Sequence, residues 1–202
     1  MSKQRMESEL WNVYDAILGI DEAGRGPIAG PLVVAGVIFE KGYENEEIDD
    51  SKKLSEKKRE RLFTEIIKHA KAYEILVISE QTIDELNIYR ATQKAMEQIA
   101  NDLKAQMVLT DAMPLPNYKG KFESVIKGDQ KSISIAAGSI LAKVSRDRWM
   151  KKLDEMYPEY EFKKHKGYPT KKHLERIKEL GIVDCYRKSY APVKKILKIK
   201  LF

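Results

Sequence analysis

Two apolar runs, residues 16–20 and 31–39, flank the heptad Asp21-Glu22-Ala23-Gly24-Arg25-Gly26-Pro27. The runs read as buried strands, over 13–20 and 32–39. Two adjacent carboxylates therefore sit where a strand gives way to a glycine-rich turn. Acids at such an edge are costly to bury unless they are paired or bind a cation. Gly24 and Gly26 let a ligand approach the backbone closely. Acid, cation and bare backbone together suggest a site for phosphodiesters, although an Asp-Glu pair also suits a solvated turn.

Further along, Ser55 is placed to cap a helix running to about residue 70, with Leu62, Phe63, Ile66 and Ile67 on one face. A strand is expected over 73–78 and a helix over 87–103, where Ala91, Ala95 and Ile99 recur four apart. Short strands at 107–110 and 122–126 precede Asp111 and Asp129. Residues 132–157 and 171–180 read as helices. Strands alternating with helices predict an α/β fold, a mixed sheet flanked by helices.

Asp21, Glu22, Asp111 and Asp129 each fall at or just past the end of an expected strand. Ligands of open α/β sheets bind beyond such ends. Successive strand residues point to opposite faces, so Asp21 and Glu22 share a site only if the strand ends there and the glycine turn re-aims one of them. Carboxylates held together repel unless cations offset them. Hard oxygen donors, one cysteine and three histidines favour Mg²⁺ or Mn²⁺ over zinc. Asp50 reads as a helix-capping or lysine-paired residue, Asp147 as a surface ion pair, and Asp102 and Asp154 as solvated helix faces.

The chain has 202 residues and a net charge of +6. With four carboxylates committed to metal, the surplus elsewhere rises to about +10, which favours a polyanion but also suits mere solubility. The single cysteine, Cys185, excludes an internal disulfide and reads as a packing residue. No apolar run is long enough to cross a bilayer, and residues 1–11 lack a signal-peptide core, so no membrane partner and a cytoplasmic location are expected.

The heptad resembles the signature of ribonuclease HII, a type 2 ribonuclease H. Four further blocks match in order: Asp50-Ser51-Lys52-Lys53-Leu54-Ser55, Gly128-Asp129 leading into residues 135–144, His165-Lys166-Gly167-Tyr168-Pro169-Thr170, and Arg187-Lys188-Ser189-Tyr190-Ala191-Pro192. The resemblance implies a ribonuclease H-like fold in a single catalytic domain, with a helical C-terminal appendage from about residue 159. It implies Asp21, Glu22, Asp111 and Asp129 as the metal-binding and catalytic acids, holding two Mg²⁺ or Mn²⁺ ions. The implied activity is cleavage of RNA paired with DNA, and of duplex DNA 5′ of an embedded ribonucleotide, leaving 3′-hydroxyl and 5′-phosphate ends.

In the resembled family the Gly24-Arg25-Gly26 loop contacts the 2′-hydroxyl, and Tyr168 matches a tyrosine at the RNA-to-DNA junction. Lys52, Lys53, Ser139, Lys143 and Lys166 are candidate phosphate contacts. His165 suits positioning better than base catalysis. Two departures stand out: Gly138 where a third alanine is expected, and Tyr186 where the family usually has histidine. Residues 199–202 loosely resemble a tail that docks on a replication clamp, without the leading glutamine. Rival readings are a ribonuclease HIII-like nuclease, a non-catalytic nucleic-acid-binding module and a small-molecule phosphoesterase.

Overall fold

The structure is a computed structural model that describes residues 6–199. A short helix α1 (Met6–Leu10) precedes strands β1 (Ile17–Ala23) and β2 (Leu32–Phe39). Helix α2 (Glu56–His69) leads into β3 (Ala70–Ile78), then α3 (Glu80–Leu86) and α4 (Ile88–Leu103). Strands β4 (Met107–Asp111) and β5 (Phe122–Val125) follow, then the short α5 (Gly128–Lys131) and the long α6 (Ile133–Met156). Helices α7 (Phe162–His165), α8 (Lys171–Leu180) and α9 (Ala191–Ile199) end the described chain.

The strands form one mixed sheet in the order β3-β2-β1-β4-β5. β1 runs antiparallel to β2 and parallel to β4. The sheet buries both faces, which explains why β2 is a continuous apolar run rather than an alternating one. Val33, Ala35, Val37 and Phe39 pack under α2 and α6. Leu18, Ile20, Val34 and Ile38 pack against Ala91, Ala95, Met96 and Ile99 of α4. The expected α/β architecture is what forms, and Ser55 caps α2 through Lys58 N at 3.3 Å.

Helix α6 sets the site's geometry because it lies directly on β1 and β2. A methyl group on Gly138 would sit 2.7 Å from Ala35 O, so the expected alanine has no room. The glycine admits this contact. The helix begins at Ser132, whose side chain accepts from Ile135 N. Beneath it, the fully buried Glu7 of α1 accepts from Ile133 N at 3.2 Å, Ser134 N at 3.0 Å and the Ser132 hydroxyl. A carboxylate there meets the positive end of the helix dipole.

Residues 158–199 fold back on the far end of α6. Tyr160, Phe162, Ile177, Cys185, Tyr186, Val193 and Ile196 pack with Met150 and Leu153 of α6, and with Ile28 and Ala29 just past the heptad. Burial pushes the Cys185 thiol up to about 12, in keeping with a packing role. Among the described residues, no helix is long and apolar enough to cross a membrane.

Candidate active site

Strand β1 does not stop at its acids. It continues through Asp21, Glu22 and Ala23, paired with Ala35, Val34 and Val33 of β2. Its pairing with β4 ends at Ile20 and Thr110, so Asp21 and Asp111 come next, side by side, where the two parallel strands part. Asp21 is buried, accepts from Glu22 N at 2.7 Å, and lies near enough to Ser139 of α6 for that hydroxyl to favour its charged form. Strand alternation starts Glu22 from the opposite face. Its carboxylate stands 3.5 Å from Arg25 and within reach of the Asp111 and Lys52 charges.

Asp111 Oδ1 accepts from Gly128 N at 2.8 Å, which ties β4 to α5. Asp129 lies in the first turn of that short helix, four residues beyond β5, rather than at a strand end. It is buried, and the nearby Asp50 carboxyl helps raise its pKa. Asp50 also caps the 3₁₀ turn Ser51–Lys53 by accepting from Lys52 N at 2.9 Å. From the same turn, Ser51 Oγ lies 2.9 Å from Ser139 Oγ. Asp50 and Ser51 thus join the acid cluster, a link their sequence block alone does not specify.

The electrostatics are those of crowded anions. Burial, then the Glu22 and Asp111 charges, hold the Asp21 carboxyl well above its usual range. Burial raises Glu22 against the pull of Arg25, and burial with the Asp111 and Asp50 charges raises Asp129. Burial works against the Lys52 ammonium, yet Asp129, Asp21, Asp50 and Asp111 together keep its pKa above the lysine norm. That ammonium stands 4.0 Å from Asp129 Oδ2.

Among the described residues, no group of three or more histidine, cysteine, aspartate or glutamate side chains is arranged to hold a metal ion as it stands. The donor chemistry nevertheless fits a hard divalent cation: every nearby donor is an oxygen, and Glu22 Oε2 is buried with no hydrogen-bond partner.

Beside the acids, residues 24–31 are braced from below. Gly24 has φ 105°, and a methyl group there would meet Arg146 Nε at 2.2 Å. The buried Arg146 donates to Pro31 O at 3.0 Å, Ala29 O at 3.2 Å and Lys166 O at 3.0 Å. Arg187, also buried, donates to Gly30 O at 2.8 Å and Arg25 O at 3.2 Å. Arg25 itself projects outward. Ile28 N donates to Gly167 O at 2.9 Å, which joins the loop to the turn carrying Tyr168. A methyl group on Gly26 would stand 3.4 Å from Tyr168 Cε1. Tyr168 and the glycine loop thus share one surface.

The remaining candidates divide by exposure. Lys53 is exposed, 3.9 Å from Asp49. Ser139 is buried on Asp21 and Ser51. Lys143 pairs with Asp147 at 2.6 Å, and burial lowers its pKa against that partner. Asp147 is buried between Lys143 and Arg59, so the surface pair expected there is an interior one. Asp154 is buried too and accepts from Lys163 N at 3.0 Å, holding the start of α7 rather than facing solvent. His165 accepts from Gly167 N at 3.1 Å and lies 2.7 Å from Tyr160 O, so both ring nitrogens serve the turn.

The mixed five-stranded sheet flanked by helices, with Asp21 and Asp111 adjacent on its central parallel strands, is that of the ribonuclease H-like class. The family model for ribonuclease HII matches residues 18–193. Ribonuclease HII of Francisella tularensis subsp. tularensis (strain WY96-3418) is 57% identical over 183 residues, covering 90% of this chain and 98% of that one. The crystal structure of ribonuclease H2 from Pyrococcus horikoshii OT3 superposes with a TM-score of 0.79 at 27% identity, covering 91% of this chain and 98% of that one. Ribonuclease HII of Archaeoglobus fulgidus, solved in complex with PCNA, gives 0.75 at 31% identity, covering 87% and 95%. The chain belongs to the ribonuclease HII family, and with it to the nucleases that hydrolyse phosphodiesters.

Proposed function

We propose that the chain hydrolyses the RNA strand of RNA–DNA hybrids and incises duplex DNA 5′ of an embedded ribonucleotide, leaving 3′-hydroxyl and 5′-phosphate ends. The observation that carries this reading is the placement of Asp21, next to Glu22, beside Asp111 where β1 and β4 part, with Asp111 tied through Gly128 to the helix of Asp129. These four carboxylates are the proposed ligands and catalytic acids. When bound there, a pair of Mg²⁺ or Mn²⁺ ions supplies an activated water and charge stabilisation for the leaving oxygen.

The chain's own residues do the rest. Gly24, Arg25 and Gly26 present backbone and a guanidinium to the ribose and its phosphate, and the half-exposed Tyr168 ring lies against the adjacent sugar. Lys53 reaches the phosphate chain from the exposed turn. Ser139 orients Asp21 from behind, and Lys143 holds the neighbouring helix through Asp147. In this reading the whole chain works as one catalytic domain, with the segment from about 159 as the appendage that delivers Tyr168. A replication clamp is the proposed partner of the tail. Its support is the loose likeness of residues 199–202 to a clamp peptide and the PCNA complex of the Archaeoglobus relative; residues 200–202 lie outside the described residues.

The test is cleavage of an end-labelled DNA duplex containing one ribonucleotide, with Mg²⁺ and with excess chelator. A single cut 5′ of the ribonucleotide that disappears with chelator, and with Asp21→Asn, is the expected result; removal of either usually costs several orders of magnitude. Undiminished cutting by Asp21→Asn at wild-type binding would refute the assignment.

A further inference from the structure

Tyr168 is held from the inside of the molecule. The residue is 48% exposed, yet its carbonyl lies 2.8 Å from Nδ1 of His173, which is fully buried. His173 Nε2 lies 2.7 Å from the hydroxyl of Tyr186, itself buried. The directions of these bonds follow from chemistry. A carbonyl only accepts, so Nδ1 carries the proton and donates to Tyr168 O. Nε2 is then an acceptor and must receive the Tyr186 hydroxyl proton. Burial keeps His173 neutral, with its pKa pushed down to about 4.

The phenol therefore fixes a tautomer. Without its proton, Nε2 is a buried acceptor with no donor. Moving the ring proton to Nε2 instead sets a lone pair on Nδ1 against the Tyr168 carbonyl. Tyr168 O also accepts from Thr170 N at 2.8 Å, so His173 is its second donor, and it is the shift of the ring proton to Nε2, which the Tyr186 hydroxyl opposes, that removes this donor.

Every neighbouring polar group of the turn is already committed. Lys166 O accepts from Arg146, Gly167 O from Ile28 N, and Gly167 N donates to His165 Nδ1. His165 stacks on His173 with ring centres 3.8 Å apart. Tyr186 is anchored at its other end by a bridge to Ala29, on the strand side of the same glycine loop.

We infer that His173 and Tyr186 are positioning residues that fix Tyr168 over Gly26 and so set the preference for a lone ribonucleotide in DNA over continuous hybrid. This rests on the proposed role of Tyr168. A general packing role would slow both substrates alike; a strut to Tyr168 changes their ratio.

The experiment measures kcat/KM with Mg²⁺ on a single-ribonucleotide duplex and on an RNA–DNA hybrid, for wild type, Tyr186→Phe, Tyr168→Ala and the double variant. Tyr186→Phe keeps the ring and removes only the hydroxyl, and the ratio of the two substrates cancels any loss of folded protein. The expected fall in the single-ribonucleotide to hybrid ratio is about fivefold for Tyr186→Phe, the scale of one lost hydrogen bond. Tyr168→Ala is expected to lower it at least as far, with no further fall in the double variant. A normal ratio in Tyr186→Phe beside a lowered one in Tyr168→Ala overturns the strut and leaves the role of Tyr168 standing. An unchanged ratio in Tyr168→Ala removes that role, and the inference with it. Independent, additive losses in the double variant also overturn the strut.

Discussion

Asp21, a proposed metal ligand, is held at a cost to the fold. Its carboxyl is buried beside two other carboxyls, and its folded pKa stands well above the unfolded value of 3.8. Between those two values the folded state holds a proton that the unfolded state has released, so stability falls as pH rises through that window. In chelated protein the contribution of Asp21 to the melting temperature is therefore expected to fall as pH rises above 3.8. Asp21→Asn should flatten that fall and melt higher than wild type at pH 7 while cutting nothing; equal slopes by scanning calorimetry would contradict the burial cost assigned to Asp21. At this scale the heptad was legible because its meaning is local, two acids and two glycines within six residues. Arg146 and Arg187 were not. They lie 115 and 157 residues from the carbonyls that receive them, and a buried guanidinium spent on backbone leaves no periodic trace in the sequence.

Helix α6 connects the secondary-structure elements to the site, since it carries Ser139 onto Asp21 and begins on the Glu7 carboxylate. Removing that carboxylate leaves two backbone donors and a hydroxyl unpaired beneath the positive helix end. Glu7→Ala is expected to cost about 2–3 kcal/mol of stability in urea unfolding, from lost charged hydrogen bonds and the dipole together; a change within about 0.5 kcal/mol, the range of ordinary surface substitutions, would count against it. The start of α6 at Ser132, the cap of α2 at Ser55 and the amphipathic α4 follow from local pattern. The role of α1 does not, because its five residues carry no periodicity long enough to read. The end of β1 was misplaced for a related reason. An acid inside a strand looks like a terminus until β2 is seen to continue its pairing to Ala23.

At the scale of the whole molecule, two bodies of structure meet at the heptad. The sheet brings Asp21 and Asp111 together by register, and residues 158–199 bring Tyr168 to Gly26 by packing on α6. Strand order was beyond the sequence, since register depends on partners far along the chain, whereas the motif blocks that resemble the family already contained Asp21, Glu22, Asp129 and Tyr168. Diffraction from crystals soaked in Mn²⁺, collected at the manganese edge, would locate the ions. Anomalous peaks bounded by the carboxylates of Asp21, Glu22, Asp111 and Asp129 are expected. Peaks lying only elsewhere, or none at saturating Mn²⁺, would contradict a nuclease built on these four acids.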